Sequence, residues 1–181
     1  MSGPAFKRVL VPIDFAEDDP DHKGEELEVD GHRIKISVAS VRALRSACEL
    51  ALADKDPSSE LRLLHATPGY DHARVYRGSS GVSALGGALE QIHEEEKTTS
   101  LAVLAAIGAR WCQGVQHSTA ARPGTALNVI LEEAAAYKAD LIVMPTSSRG
   151  VVARFFLGST ADRVIREAHC PVLIIPSEDR R

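Results

Sequence analysis

The residues best suited to chemistry lie between a short apolar run and an amphipathic segment late in the sequence. Residues 141–144, LIVM, are followed by a polar stretch at 146–149, and Gly158-Ser159-Thr160 opens a pattern in which apolar residues recur every three or four positions. The run is typical of a strand buried on both faces of a parallel sheet, and the pattern is typical of a helix. The backbone N–H groups in the first turn of a helix are free to bind an anion. This arrangement therefore predicts a phosphate site.

Side chains of the same segment could add contacts to a phosphate. Ser159 or Thr160 is expected to cap the predicted helix. Hydroxyl groups can donate to phosphate oxygens, and guanidinium groups can add charge-assisted hydrogen bonds. The residues that carry such hydroxyl or guanidinium groups are Thr146, Ser147, Ser148, Arg149 and Arg154. The alternative interpretation is an ordinary polar loop between a strand and a helix.

Asp14 is the second feature that indicates a ligand site. It ends the run 7–14, KRVLVPID, which predicts the first buried strand. In open parallel sheets, ligands bind beyond the C-terminal ends of the strands, so Asp14 is well placed to contact one. The alternative is that its carboxylate caps a following turn.

The remaining elements alternate between helices and strands. Apolar residues at helical spacing and short apolar runs predict helices over 41–52, 88–112 and 125–137, and strands over 61–66, 115–121 and 172–175, with a turn at Arg122-Pro123-Gly124. This alternation predicts a single α/β domain over residues 1–181. Its core is a doubly wound, five-stranded parallel sheet with right-handed crossovers.

An acidic insertion at residues 16–38 interrupts the alternation. Residues 17–30 hold eight of the 25 acidic residues of the chain. The sequence ELEVDGHRIKI alternates around Asp30-Gly31, a pair that type I′ turns favour, so we predict a β-hairpin after strand 1. The predicted cross-strand pairs are Leu27 with Ile34, Val29 with His32, Glu28 with Arg33 and Glu26 with Lys35. We expect the hairpin to lie over the ligand crevice or to form a contact surface.

Other polar groups fit binding sites less well. An EF-hand loop is excluded because Lys23 occupies a ligand position and Asp30 replaces the bidentate glutamate. Residues 67–87 are rich in glycine and serine but lack G-x-x-x-x-G-K-[ST], so they predict a flexible connection, either a lid or a linker. The run His93-Glu94-Glu95-Glu96-Lys97 diverges around a helix and predicts a solvated face rather than a metal site. A lone strand-end histidine such as His65 is more often packed or solvated than a ligand.

Composition and charge limit the partners. The net charge of −4 gives no electrostatic reason to expect nucleic acid or an anionic membrane as a partner. No apolar run is long enough to span a membrane, and the first residues lack the apolar stretch of a signal peptide, so we expect a cytoplasmic location. Cys48, Cys112 and Cys170 are far apart in sequence and lie in apolar contexts, which predicts reduced, buried thiols.

The segment 139–176 resembles the C-terminal half of the universal stress protein (UspA-like) family. The resemblance lies in DLIVM, in LGSTADRVIREAHCPVLIIP, and in the placing of Arg149 and Arg154 within the family's nucleotide-loop pattern G-x-x-G-x9-G-[ST]. The resemblance to the family extends from this segment to nearly all of the chain outside the acidic insertion. It implies the strand order 3-2-1-4-5. The last Gly-Ser pair of the pattern is kept, whereas Pro145 and Ser148 replace its first two glycines.

The resemblance implies a nucleotide site. Family members carry V-P-x-D at the position of residues 11–14, with the aspartate near the adenosine, and offer backbone groups to adenine where Ala66 stands. The implied nucleotide-binding residues are Pro12, Ile13, Asp14, Ala66, Thr146, Ser147, Ser148, Arg149, Gly158, Ser159 and Thr160. The implied cofactor is ATP with Mg²⁺, and we expect no catalytic or metal-ligating residue. Pro145 lacks an N–H, and each lost donor weakens binding by about 0.5–1.5 kcal/mol.

Three functions follow from these observations. The first is a cytoplasmic, regulatory stress-response protein that binds ATP or a related adenine nucleotide and forms a homodimer through Val172–Ile175, since family members commonly pair through the last strand. The second is a stress-response scaffold that binds no nucleotide and acts through an unidentified protein partner. The third is an enzyme that slowly hydrolyses ATP. It has the least support, because the sequence offers no positioned base and no Cys-x-x-Cys, H-E-x-x-H or Ser-His-Asp pattern.

Overall fold

The computed structural model describes residues 6–17, 24–53, 58–68, 82–146 and 158–176. The strands are β1 (Arg8–Pro12), β2 (Phe15–Glu17), β3 (Gly24–Val29), β4 (His32–Ser37), β5 (Glu60–Thr67), β6 (Gln116–Pro123), β7 (Leu141–Pro145) and β8 (Val172–Ile175). The helices are α1 (Val38–Ala53), α2 (Val82–Trp111), α3 (Ala126–Tyr137) and α4 (Ser159–Glu167). None of the helices in these ranges is long and apolar enough to cross a membrane.

The main sheet has five parallel strands in the order β6-β5-β1-β7-β8. Without the strands of the insertion, this is the order 3-2-1-4-5, so the predicted fold class is confirmed. Residues 9–11 of β1 and 141–144 of β7 form continuous apolar runs because helices cover both faces of the sheet. Residues 9–11 of β1 are at most 1% exposed, and residues 141–144 of β7 are all buried.

Each face of the sheet has its own core, because successive strand residues point to opposite sides. Helices α1 and α2 cover one face, where the packed residues include Val9, Val11, Leu44, Leu63 and Ile107. Helices α3 and α4 cover the other face, where they include Leu10, Leu64, Ile130, Ile142 and Val164. The C-terminal ends of the strands lie between these two layers.

The acidic insertion forms a second, antiparallel sheet in the order β2-β4-β3. The predicted hairpin is confirmed, with the predicted pairs of Leu27 with Ile34, Val29 with His32, Glu28 with Arg33 and Glu26 with Lys35. Its turn residues Asp30 and Gly31 have φ angles of 51° and 81°, as a type I′ turn requires. The short third strand, β2, was not predicted.

The hairpin packs onto the layer of α1 and α2. Its inner apolar residues join the core on that face. At the end of α2, Arg110 donates a hydrogen bond to the carbonyl of Glu26 at 3.3 Å and contacts the carboxylate of Glu25 at 3.4 Å. The opposite face of the hairpin presents charged side chains, among them Glu28 and Arg33, which are exposed. Packing on the helices therefore accounts for the position of the hairpin.

Some predicted boundaries differ from the observed ones. Helix α1 begins at Val38 rather than at residue 41. Helix α2 begins at Val82, inside the stretch predicted as a loop, and residues 69–81 of that stretch lie outside the described residues. Arg122 and Pro123 end strand β6 instead of forming a turn, and the chain turns at Gly124, whose φ is 142°.

Candidate functional site

A cavity of about 460 Å³ opens at the C-terminal edge of the main sheet. It lies beside β1, where the strand order reverses between β5 and β7. Open α/β sheets bind ligands at this switch point, and the volume is in the range of small-molecule sites, about 300–1,000 Å³. The walls come from the ends of β1, β5 and β7 and from the first turns of α1, α3 and α4.

Most of the predicted site residues that the structure describes line this cavity. They are Pro12, Ile13, Asp14, Ala66, Thr146, Ser159 and Thr160. Gly158 immediately precedes α4. The other three predicted residues, Ser147, Ser148 and Arg149, lie outside the described residues, as does Arg154. The structure thus brings distant parts of the sequence together around one cavity.

The start of α4 differs from the prediction in its capping. Gly158, not Ser159 or Thr160, is the N-cap, and no side chain makes a capping hydrogen bond. The first intrahelical bond is from the Asp162 N–H to the Gly158 carbonyl, at 3.0 Å. Gly158 has φ 81° and ψ 142°, a conformation that is essentially restricted to glycine. The backbone itself therefore requires the glycine that the family pattern keeps.

The end of β7 offers the cavity few backbone donors. Pro145 lines the cavity and has no N–H. The N–H of Thr146 donates to the carbonyl of Ile175 in the neighbouring strand at 2.9 Å. Neither residue can therefore direct a backbone N–H at a phosphate, and the first turn of α4 is the remaining described source of such groups near these residues.

The start of α1 contributes two buried hydroxyl groups that were not among the predicted site residues. Ser37 caps the helix by accepting a hydrogen bond from the Ser40 N–H at 3.0 Å. Its own hydroxyl lies 2.9 Å from that of Ser40, to which it donates. Both residues line the cavity and are at most 3% exposed. The available signal was the serine three residues ahead of Ser40 at the head of the apolar pattern.

His65 also lines the cavity, and its ring is packed within the fold. Its ring stacks on Phe15, with centroids 3.9 Å apart. Its Nδ1 lies 2.9 Å from the carbonyl oxygen of Ile13, which can only accept, so Nδ1 carries the proton. Burial lowers the pKa of His65, while the bond to Ile13 and the charge of Asp14 act in the opposite direction. His65 is therefore neutral at pH 7 and its Nε2 is an acceptor.

The remaining lining residues that the sequence analysis missed make the cavity largely apolar. They are Leu64, Ala126, Ile130, Met144 and Ala161. With His65 neutral, Asp14 is the one charged side chain among the described lining residues. In the described ranges, no three His, Cys, Asp or Glu side chains come together as a metal site. The residues therefore suit an uncharged, planar group together with a few polar contacts.

A buried ion-pair network holds α3 against the sheet beside the cavity. The carboxylate of Glu133 accepts a hydrogen bond from Arg62 Nη1 at 2.9 Å. Arg122 Nε lies 2.7 Å from the other oxygen, outside hydrogen-bonding geometry, so this contact is an ion pair. Arg62 also covers the ring of Tyr137 at 4.3 Å. Because Ala126 and Ile130 lie on the same helix, this network positions the α3 wall of the cavity.

Comparison with known proteins matches most of the chain to one family. The model of the universal stress protein family matches residues 34–176. The universal stress protein MJ0531 of Methanocaldococcus jannaschii is 39% identical over 87 residues, which are 48% of this chain and 50% of that protein. A universal stress protein of Thermus aquaticus is 48% identical over 52 residues, 29% of this chain and 38% of that protein. The matched segments thus span half or less of these relatives.

Solved structures of the same family share the fold. UspA of Lactobacillus plantarum has a TM-score of 0.58 and 20% identity, covering 96% of this chain and 99% of that one. A universal stress protein in complex with cAMP has a TM-score of 0.53 and 18% identity, covering 97% and 100%. The Arabidopsis thaliana protein At3g01520, with AMP bound, has a TM-score of 0.53 and 19% identity, covering 94% and 90%. At these identities the likeness establishes the fold.

Proposed function

The chain belongs to the universal stress protein family, a family of stress-response proteins, and on this premise we propose that it binds an adenine nucleotide in the cavity described above. The nucleotide is ATP or a relative such as AMP or cAMP, and the protein acts as a regulatory sensor in the cytoplasm. The observation that carries the proposal is a largely apolar cavity at the switch point whose lining includes hydroxyl groups and the N-terminal residues of α4. Two structural neighbours were solved with cAMP and AMP.

In this proposal each part of the nucleotide meets a different wall. The base lies among apolar side chains such as Ile13, Ile130 and Met144. The carboxylate of Asp14 accepts hydrogen bonds from the ribose hydroxyls. A phosphate lies at the start of α4, near Ser159, where the partial positive charge of the helix is worth about 0.3–1 kcal/mol. The protein binds and releases the nucleotide, and no residue is assigned a catalytic step.

The replacements in the loop pattern predict weak recognition of the phosphates. Pro145 has no N–H, and the N–H of Thr146 is used within the sheet. The donor that Pro145 lacks is worth about 0.5–1.5 kcal/mol, which lowers the affinity by up to about tenfold. With ATP, the phosphates themselves would hold Mg²⁺, since Asp14 alone is a poor metal site. We therefore expect AMP to bind nearly as well as ATP.

Calorimetric titration tests this proposal. Nucleotide-stripped protein is titrated with AMP and with ATP plus Mg²⁺. The same titrations are made with an Asp14→Ala, Ser159→Ala variant and with a Thr99→Ala control, which removes an exposed hydroxyl from α2. Saturable binding in the wild type and the control, lost in the double variant, supports the site. The proposal is contradicted if about 1 mM nucleotide, a concentration that would reveal even weak binding, gives neither heat of binding nor a rise in melting temperature.

The homodimer remains part of the proposal. Strand β8 is an edge of the main sheet and pairs only with β7 among the described strands. Leu173, at its centre, is 37% exposed. An apolar edge strand is a template for pairing with a second copy. We expect sedimentation of the wild type to give a dimer and Leu173→Lys to give a monomer. A wild-type monomer at micromolar concentration would contradict this assignment.

The alternative function is a scaffold that binds no nucleotide. Pro145 favours it, because a proline at this position removes a donor that phosphate recognition would use. The exposed charged face of the hairpin, which includes Glu28 and Arg33, is its candidate contact surface. Failure of both nucleotides to bind a folded wild-type protein would favour this function.

A further inference from the structure

Two cysteines that lie far apart in the sequence are neighbours in the fold. Cys48, on α1, and Cys112, directly after the last residue of α2, belong to the same core and are 6% and 1% exposed. The Cys48 thiol lies 3.6 Å from the carbonyl oxygen of Trp111, the residue that precedes Cys112. The two thiols are also close enough to share a hydrogen bond. Neither cysteine lines the cavity described above.

We propose that Cys48 and Cys112 form a peroxide-sensitive thiol pair that closes to a disulfide between α1 and α2. The proposal does not depend on nucleotide binding. It rests on the packing of the Cys48 thiol, on α1, 3.6 Å from the carbonyl oxygen of Trp111, the residue before Cys112, in a chain whose other cysteine, Cys170, follows α4 and packs with the core on the opposite face. A disulfide requires the two sulfur atoms to approach to about 2.05 Å, so one helix end must shift slightly when the bond forms.

The contact makes the two thiols chemically unequal. The hydrogen bond from Cys112 lowers the pKa of the Cys48 thiol, against the effects of burial and of Glu49. The same bond and burial raise the pKa of Cys112. The thiolate is the nucleophile in thiol chemistry, so Cys48 is the residue that reacts first and Cys112 is the resolving thiol.

The reaction balances with hydrogen peroxide as the oxidant. The Cys48 thiolate attacks one peroxide oxygen and the O–O bond breaks. The departing hydroxide takes up the proton that Cys48 released and becomes water, leaving a sulfenic acid on Cys48. The Cys112 sulfur then attacks the Cys48 sulfur, and its proton and the sulfenic hydroxyl leave as a second water. Two thiols are thus oxidised to one disulfide while peroxide is reduced to two waters.

Burial selects the oxidant. A disulfide such as oxidised glutathione is too large to reach two sulfur atoms that are almost fully covered. Peroxide is scarcely larger than water. Cys112 directly follows the last residue of α2, where its N–H bonds to the Gly108 carbonyl at 2.8 Å. We expect local opening of this last turn to admit peroxide. We therefore expect slow but selective oxidation by peroxide and little by oxidised glutathione.

The test uses the full reduced chain treated with hydrogen peroxide. We expect the intact mass to fall by two hydrogens and two of the three thiols to be lost. Peptide mapping without reduction should then show the Cys48 peptide joined to the Cys112 peptide. The melting temperature should rise by about 5–10 °C and return after reduction, because the cross-link closes a long loop. Cys170→Ala should behave as the wild type, whereas Cys48→Ala and Cys112→Ala should each fail to lose the two hydrogens.

Two results would overturn the proposal. One is peroxide treatment that adds oxygen to the chain without loss of two hydrogens. The other is a disulfide that includes Cys170, within one chain or between two. Should either alanine variant fold poorly, the peptide map of the wild type and of Cys170→Ala decides the question without them.

Discussion

Replacing Glu133 by alanine should destabilise the protein more than any change on the exposed face of α3. The Glu133 side chain is 2% exposed, and its carboxylate faces two cations, Arg62 and Arg122. Removing one partner of a fully buried ion pair costs about 3–5 kcal/mol, because the remaining charge is left without compensation. Here the arginine side chains are 29% and 45% exposed, so water restores part of their solvation. We therefore expect a loss of about 2–3 kcal/mol, below the fully buried case.

The loss corresponds to a fall in melting temperature of about 4–12 °C for a chain of this size. Urea unfolding followed by circular dichroism measures it directly. Glu133→Gln keeps an acceptor for Arg62 and should lose less than Glu133→Ala. Glu132→Ala is the matched control, since Glu132 is exposed on the same helix, and should change stability by at most about 0.5 kcal/mol. A loss below about 1 kcal/mol for Glu133→Ala would refute the view that this network holds α3 in place.

Three further changes test other features. Gly158→Ala places a side chain at φ 81° and should cost about 1–3 kcal/mol in urea unfolding; an unchanged midpoint would contradict the described backbone. His65 binds a proton less readily in the folded protein than in the unfolded chain, so the free energy of unfolding should fall as the pH drops from about 6.5 towards the lowered pKa of His65. His65→Asn should flatten this dependence on pH, and the control His169→Asn should not. Equal dependence in the wild type and in His65→Asn would show that His65 is not its cause. Thr125→Ala removes the cap of α3 and should cost about 0.5–1 kcal/mol; no loss would show that the 3.4 Å contact contributes nothing.

Much of the sheet was predictable because β1, β7 and β8 are short apolar runs. Residues 141–144 could be recognised as a strand because helices on both faces demand a continuous apolar sequence. The hairpin register was predictable because Asp30-Gly31 fixes the turn and a turn fixes the pairing of its strands. The strand order came from the family resemblance, since no local pattern specifies which strands become neighbours.

The start of α4 shows where local patterns stop being informative. The sequence Gly158-Ser159-Thr160 favours a hydroxyl cap, because serine and threonine are common N-caps. In the structure the chain enters the helix at positive φ, and only glycine suits that position. The direction from which a chain enters a helix depends on tertiary packing, so the capping residue could not be identified from spacing.

The contacts of His65 and of the thiol pair could not be predicted for a related reason. The role of His65 depends on Phe15, which reaches it through the unpredicted strand β2. The contact of Cys48 with Cys112 depends on how α1 packs against the end of α2. Contacts between residues more than 45 positions apart leave no local signal in a single sequence. Asp14, in contrast, could be placed at the ligand crevice because it follows a parallel strand, whereas Ala66, near the end of β5, came from the family resemblance.

The central claim is that the cavity is where an adenine nucleotide binds, and blocking the cavity tests it most directly. Ala126 lines the cavity at the start of α3, whereas Ala136 is exposed on the same helix away from it. Titration calorimetry with AMP should give saturable binding for the wild type and for Ala136→Trp. Ala126→Trp, which fills the cavity, should lose it. Equal AMP affinity in all three folded proteins would place the nucleotide elsewhere and contradict the account.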